Sequence, residues 1–153
     1  MHIPSIKTSL LVWLFSAFSA FSTNAITQVN DEELRIVVVA NLQQQELELS
    51  KQQVKSLFMG SFVGHELKVV TLPPSSLVRV NFNTKVIGMT EDRIQSFWAQ
   101  MRFSGRKTQP KELNDIDALL EYVENTPGAV TYLPSTVRLP DSLQVIYTLP
   151  NSN

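Results

Sequence analysis

The chain contains no cysteine, which excludes a thiol nucleophile, a cysteine-ligated zinc and a disulfide framework. Histidine is almost as scarce. Only His2 and His65 occur, and with His2 inside the expected signal peptide a Ser-His-Asp arrangement would have to rest on His65 alone. His65 follows Gly64 at the expected start of a strand, and reads as a loop histidine without a partner. No G-x-S-x-G, Walker-type or dinucleotide-type glycine loop is present. Lys and Arg number 13 against 14 Asp and Glu, and the basic residues are dispersed rather than clustered, so the footprint expected of a nucleic-acid binder is missing. Repeats and low-complexity segments are absent as well. No enzyme activity, metal, cofactor or nucleic-acid partner is expected.

A long apolar run is also lacking. Ser9 to Phe21 (SLLVWLFSAFSAF) falls short of the roughly 20 residues that a spanning helix needs, and Ser16 and Ser19 dilute it. Lys7 without a neighbouring acid, this apolar stretch, and the small residues of Thr23-Asn24-Ala25 make residues 1–25 a signal peptide cleaved after Ala25. A retained membrane anchor is the alternative. Residues 26–34 are polar and unpatterned and form a lead-in. Residues 35–150 remain for one domain, too few for two lobes of ordinary size.

Strands and helices alternate along this domain. Arg35 to Ala40 (RIVVVA) is a continuous β-branched run suited to a strand buried on both faces, which implies parallel neighbours and helical crossovers. Ser50 with Gln53 marks a capping box, Val54, Leu57 and Phe58 line one face of the helix that follows, and Gly60 stops it. Glu66 to Thr71 is the second strand, completing a strand-helix-strand unit expected to be right-handed. Pro73-Pro74 breaks the chain before a short helix capped by Ser75 or Ser76, carrying Leu77, Phe82 and Val86, and ended by Gly88. Thr90 opens a helix whose Ile94, Phe97, Trp98 and Met101 form a buried stripe. Ser104 to Pro110 (SGRKTQP) is a basic turn, solvated in its plainer reading and able to meet an anion or an acidic partner in its sharper one. A helix near Asn114 to Asn125 and strands at Ala129 to Leu133 and Leu143 to Thr148 follow, giving α/β layers. Asp115 and Asp117 fit the positive end of that helix better than a cation.

Three phrases carry a resemblance: Leu49 to Gly60 (LSKQQVKSLFMG), Phe97 to Leu113 (FWAQMRFSGRKTQPKEL) and Pro127 to Pro134 (PGAVTYLP). They resemble the second half of phosphate-binding proteins of ABC transporters, within the type 2 periplasmic-binding-protein superfamily. The resemblance spans nearly all of the chain beyond Arg35. It implies a three-layer α/β lobe with a mostly parallel sheet, a periplasmic location, and a membrane transporter or sensor as partner.

Residue chemistry and resemblance meet at Leu72 to Phe82 (LPPSSLVRVNF). A strand running into a helix start presents unpaired N–H groups and a positive dipole end. Ser75, Ser76 and Leu77 could hold a small oxyanion there, with Arg79 adding a guanidinium; phosphate is the anion that the resemblance implies. The family's Ser-Gly-Thr signature is incomplete, since Gly-Thr is missing and Pro-Pro precedes the serines. A single lobe without the family's first is expected, so a ligand would meet one jaw of the clamp unless a homodimer supplied the other. A solute-binding-protein-like module is therefore expected, the alternative being a periplasmic interaction or sensory accessory that binds no ligand.

Overall fold

The computed structural model describes residues 35–43 and 45–150. The signal peptide expected over 1–25 and the lead-in over 26–34 lie outside the described residues. Among those described, no helix is long and apolar enough to cross a membrane.

Five strands form one sheet in the order β3-β2-β4-β1-β5. In chain order they are β1 (Ile36–Ala40), β2 (Lys68–Thr71), β3 (Lys111–Glu112), β4 (Ala129–Pro134) and β5 (Gln144–Thr148). Helices α1 (Lys51–Phe58), α2 (Leu77–Phe82), α3 (Glu91–Phe103) and α4 (Ile116–Asn125) flank them, and a π-helical turn, Asn83–Ile87, extends α2. Every residue of β1 and β4 is buried. Side chains alternate across a strand, so burial at every position means that both faces of the central sheet are covered.

The sheet is mostly, but not wholly, parallel. β2 pairs parallel with β3 and with β4, whereas β1 pairs antiparallel with β4 and β5, so one strand runs against the other four. The segment from β1 through α1 to β2 is thus not the right-handed parallel crossover expected: β4 lies between the two strands and β1 is reversed. A β-branched run reports burial on both faces, which an inner antiparallel strand between β4 and β5 satisfies equally well.

Local signals in the chain act as their chemistry dictates. The capping box closes with Gln53 N–H donating to Ser50 Oγ at 3.3 Å and Ser50 N–H to Gln53 Oε1 at 2.9 Å. Gly60 takes φ 74°, and a Cβ there would stand 3.1 Å from the Trp98 ring, so glycine is what lets α1 end against α3. At the far end of α4, Asn41 Nδ2 donates to the carbonyls of Val123 and Glu124 at 3.1 and 2.8 Å, satisfying groups that the helix leaves unpaired.

Phe58 of α1, Phe82 of α2 and Tyr132 of β4 meet as an aromatic cluster, with Phe82 stacked on Tyr132 at 4.1 Å and Phe58 tilted against Phe82 at 4.6 Å. Such pairs add about 0.5–1.5 kcal/mol each beyond area burial. The cluster seats α2 on the sheet and thereby fixes where the β2–α2 junction stands. Trp98 and Ile94 are buried as their spacing predicts. Leu77, by contrast, is 83% exposed, because α2 turns Phe82 and Arg79 inward instead.

Candidate functional site

The carboxyl ends of β2 and β3 are where α/β sheets of shared strand direction ordinarily receive ligands. β2 ends at Thr71, Pro73-Pro74 turns the chain, and Ser76 caps α2 with its Oγ accepting from Arg79 N–H at 3.5 Å. Ser75 is exposed, and Leu77 projects into solvent. A depression of about 350 Å³ opens beside them, lined by Leu72, Ser76, Asn114, Asp115, Ile116 and Asp117. Asp115 caps α4, accepting from Ala118 N–H at 2.8 Å, as an acid at a helix start should.

Arg79 turns inward. It is 4% exposed, and its Nε and Nη2 donate to the two oxygens of Glu91 at 3.1 and 2.7 Å, a side-on bidentate pair. Nη1 donates to Glu112 Oε1 at 2.7 Å and to the Leu72 carbonyl at 2.6 Å. Four donor contacts are thus committed within the chain. Burial works against the guanidinium charge, but hydrogen bonds to Glu91 and Glu112 outweigh it and raise the Arg79 pKa. Burial likewise pushes the Glu91 carboxyl up, and the hydrogen bonds from Arg79 and Gln95, with the Arg79 charge and Asn83, bring it below its ordinary value. Glu91 is further fixed by Asn83 Nδ2 and Gln95 Nε2, each at 2.7 Å.

The expected constellation is therefore only partly assembled. Ser75, Ser76 and Leu77 stand at the helix start, and Arg79 lies one turn away but offers its donors to Glu91, Glu112 and Leu72 rather than to an open site. One guanidinium between two carboxylates leaves the cluster with a net negative charge. The signal for this was not in the local sequence, because the acids that claim Arg79 lie 12 and 33 residues away.

Tyr132 sits under this network. Its hydroxyl accepts from Leu72 N–H at 3.3 Å, and burial drives its pKa well above the ordinary phenol value. A neutral, buried phenol on the Leu72 amide has a positioning role for the β2–α2 junction. His65 is exposed, and among the described residues no group of three or more His, Asp or Glu could hold a metal ion.

The larger concavity lies at the opposite end of the strands. It encloses about 870 Å³ at the amino ends of β2, β3 and β4, with Lys68, Lys111 and Gly128 on its walls and Phe62 at its lip. Asn41, Gln43, Gln45 and Gln109 add amides.

No family model and no curated protein matches the chain. Among solved structures, the fold is similar to an ABC-type phosphate transport receptor from Vibrio cholerae, with a TM-score of 0.54 and 17% sequence identity over 73% of this chain. The chain spans 45% of that receptor's length. At this identity the likeness shows a periplasmic-binding-protein-like fold.

Proposed function

We propose that the protein is a solute-binding-protein-like recognition module of the periplasm, working by non-covalent binding for transport or sensing and performing no catalysis. The observation that carries this reading is the likeness of its sheet and flanking helices to a phosphate transport receptor over most of the described chain. Phosphate is the first ligand to examine. Its contacts would be the hydroxyls of Ser75 and Ser76 and the helix-start amide of Leu77, with Arg79 acting as the pin that holds the junction. Ser75 and Leu77 are exposed, so water competes for each hydrogen bond and affinity in the millimolar range is expected. Calorimetric titration with phosphate, and the rise in melting temperature it causes, test this. Ser75→Asp puts a negative charge at the exposed helix start without touching the Arg79 network, and is expected to abolish both effects. Flat titrations at millimolar phosphate would overturn the phosphate reading.

A second reading has its own observation. Arg79 is paired with two acids, and Asp115 and Asp117 line the adjacent depression, an arrangement that disfavours anions and suits an interaction or sensory accessory that keeps the lobe for its surfaces. A transporter or sensor protein of the membrane is the proposed partner in either case.

A further inference from the structure

Two loops that are distant in sequence form one basic, aromatic-bearing end of the molecule. No Asp or Glu occurs between Glu48 and Glu66, or between Asp92 and Glu112. The ends of α1 and α3, which close these two stretches, are tied together. Lys107 Nζ donates to the Met59 carbonyl and to Ser61 Oγ, each at 3.1 Å, and Gly60 packs against Trp98. The most exposed aromatics of the described chain stand here, Phe103 at 97% and Phe62 at 74%. Arg102 and Arg106 flank Phe103, and among the described residues neither they nor Lys68 nor Lys111 forms an ion pair, the Lys111 ammonium resting instead over the Tyr122 ring at 4.6 Å from its centroid. Large apolar side chains left in water amid mainly basic charges mark an interaction surface.

This end opens into the 870 Å³ cleft, whose lip is Phe62 and whose walls carry Lys68 and Lys111 against a single acid, Glu66. Gln43, which also lines the cleft, holds φ 46° and is the only non-glycine residue at positive φ among those described. Such a conformation costs about 1–2 kcal/mol and concentrates at functional sites.

We infer that the cleft at the amino ends of β2, β3 and β4 docks a short acidic segment of a partner protein, with carboxylates on Lys68 and Lys111 and an apolar side chain on Phe62. A concave site walled by amides suits a peptide backbone, whereas a flat lipid surface cannot enter it. Arg102 and Arg106 outside the cleft would steer the approach. The surface lies at the opposite end of β2 from Ser75 and Ser76, so the inference stands or falls independently of phosphate binding.

Fluorescence anisotropy with the full chain and a labelled short peptide of glutamate interrupted by leucine tests it. Saturable binding that weakens with salt is expected, with the lysine counterpart of the peptide bound at least about tenfold more weakly. Lys68→Glu combined with Lys111→Glu should weaken the glutamate peptide at least about tenfold, while the Lys68→Arg, Lys111→Arg pair retains it. Phe62→Ala should weaken it without altering its salt dependence, and Ser75→Asp should leave it unchanged. Absence of binding by the glutamate peptide, equal binding of the lysine peptide, or full binding by the charge-reversed variant would overturn the inference. Capture by anionic phosphatidylglycerol vesicles without peptide binding would overturn it as well.

Discussion

One positive charge facing two carboxylates decides what Arg79 can do. Its side chain is 5% exposed and that of Glu91 18%, so removing one partner strands the other in a poorly solvated place. Arg79→Ala is accordingly expected to destabilise the fold by about 3–5 kcal/mol, measured by urea denaturation. The same pair predicts an acid sensitivity. The Glu91 carboxyl titrates below its ordinary 4.5 in the folded chain, so the unfolded chain binds the proton more readily. The stabilisation is complete above about pH 5 and is lost as pH falls through the folded value. Glu91→Gln should lower the melting temperature at pH 7 and flatten its decline as pH falls below about 5; an unchanged acid limb would contradict this role. The chain advertised Arg79 as a ligand donor because it shares a helix turn with Ser76. Its acids arrive from the start of α3 and from β3, and no local spacing encodes that.

Elements with a chemical start and stop were legible in the sequence. Ser50 with Gln53 and Gly60 as a stop behave as read, and of the α3 stripe Ile94 and Trp98 are buried while Phe97 and Met101 are half-buried, because capping and amphipathicity are local. β3 was not legible: two exposed residues carry no hydrophobic pattern, and only pairing with Val70 and Thr71 makes them a strand. The reversal of β1 was equally hidden, since strand direction is a property of neighbours and not of the run itself. The two helix-ending glycines separate two costs. Gly88 takes φ 73° with nothing within 4 Å of a would-be Cβ, whereas Gly60 at φ 74° meets Trp98 at 3.1 Å and the Lys107 stem at 3.2 Å. Gly88→Ala should therefore cost only the backbone term of about 1–2 kcal/mol. Gly60→Ala should cost measurably more in parallel urea titrations, and equal losses would mean that Trp98 yields freely.

For the whole molecule, whether two copies pair at the β2–α2 junction is decided by electrostatics. A second copy could complete a clamp only by bringing its own β2–α2 junction against this one. That would set the Glu91 and Glu112 carboxylates, short of one countercharge, together with Asp115 and Asp117, opposite the same groups of the partner. Like charges facing across an interface cost several kcal/mol. Leu77 at 83% exposure and Val80 at 40% offer too little apolar area to offset this, since stable pairs bury about 800 Å² on each side. The chain is therefore expected to be monomeric in light scattering at low ionic strength. Phosphate should not change this, because an anion added between facing carboxylates raises the repulsion rather than relieving it. A phosphate-induced dimer would contradict the argument and would make tight binding by a two-copy clamp feasible. A monomer whose melting temperature rises only slightly in millimolar phosphate would fit a junction whose strongest donor, Arg79, is already taken.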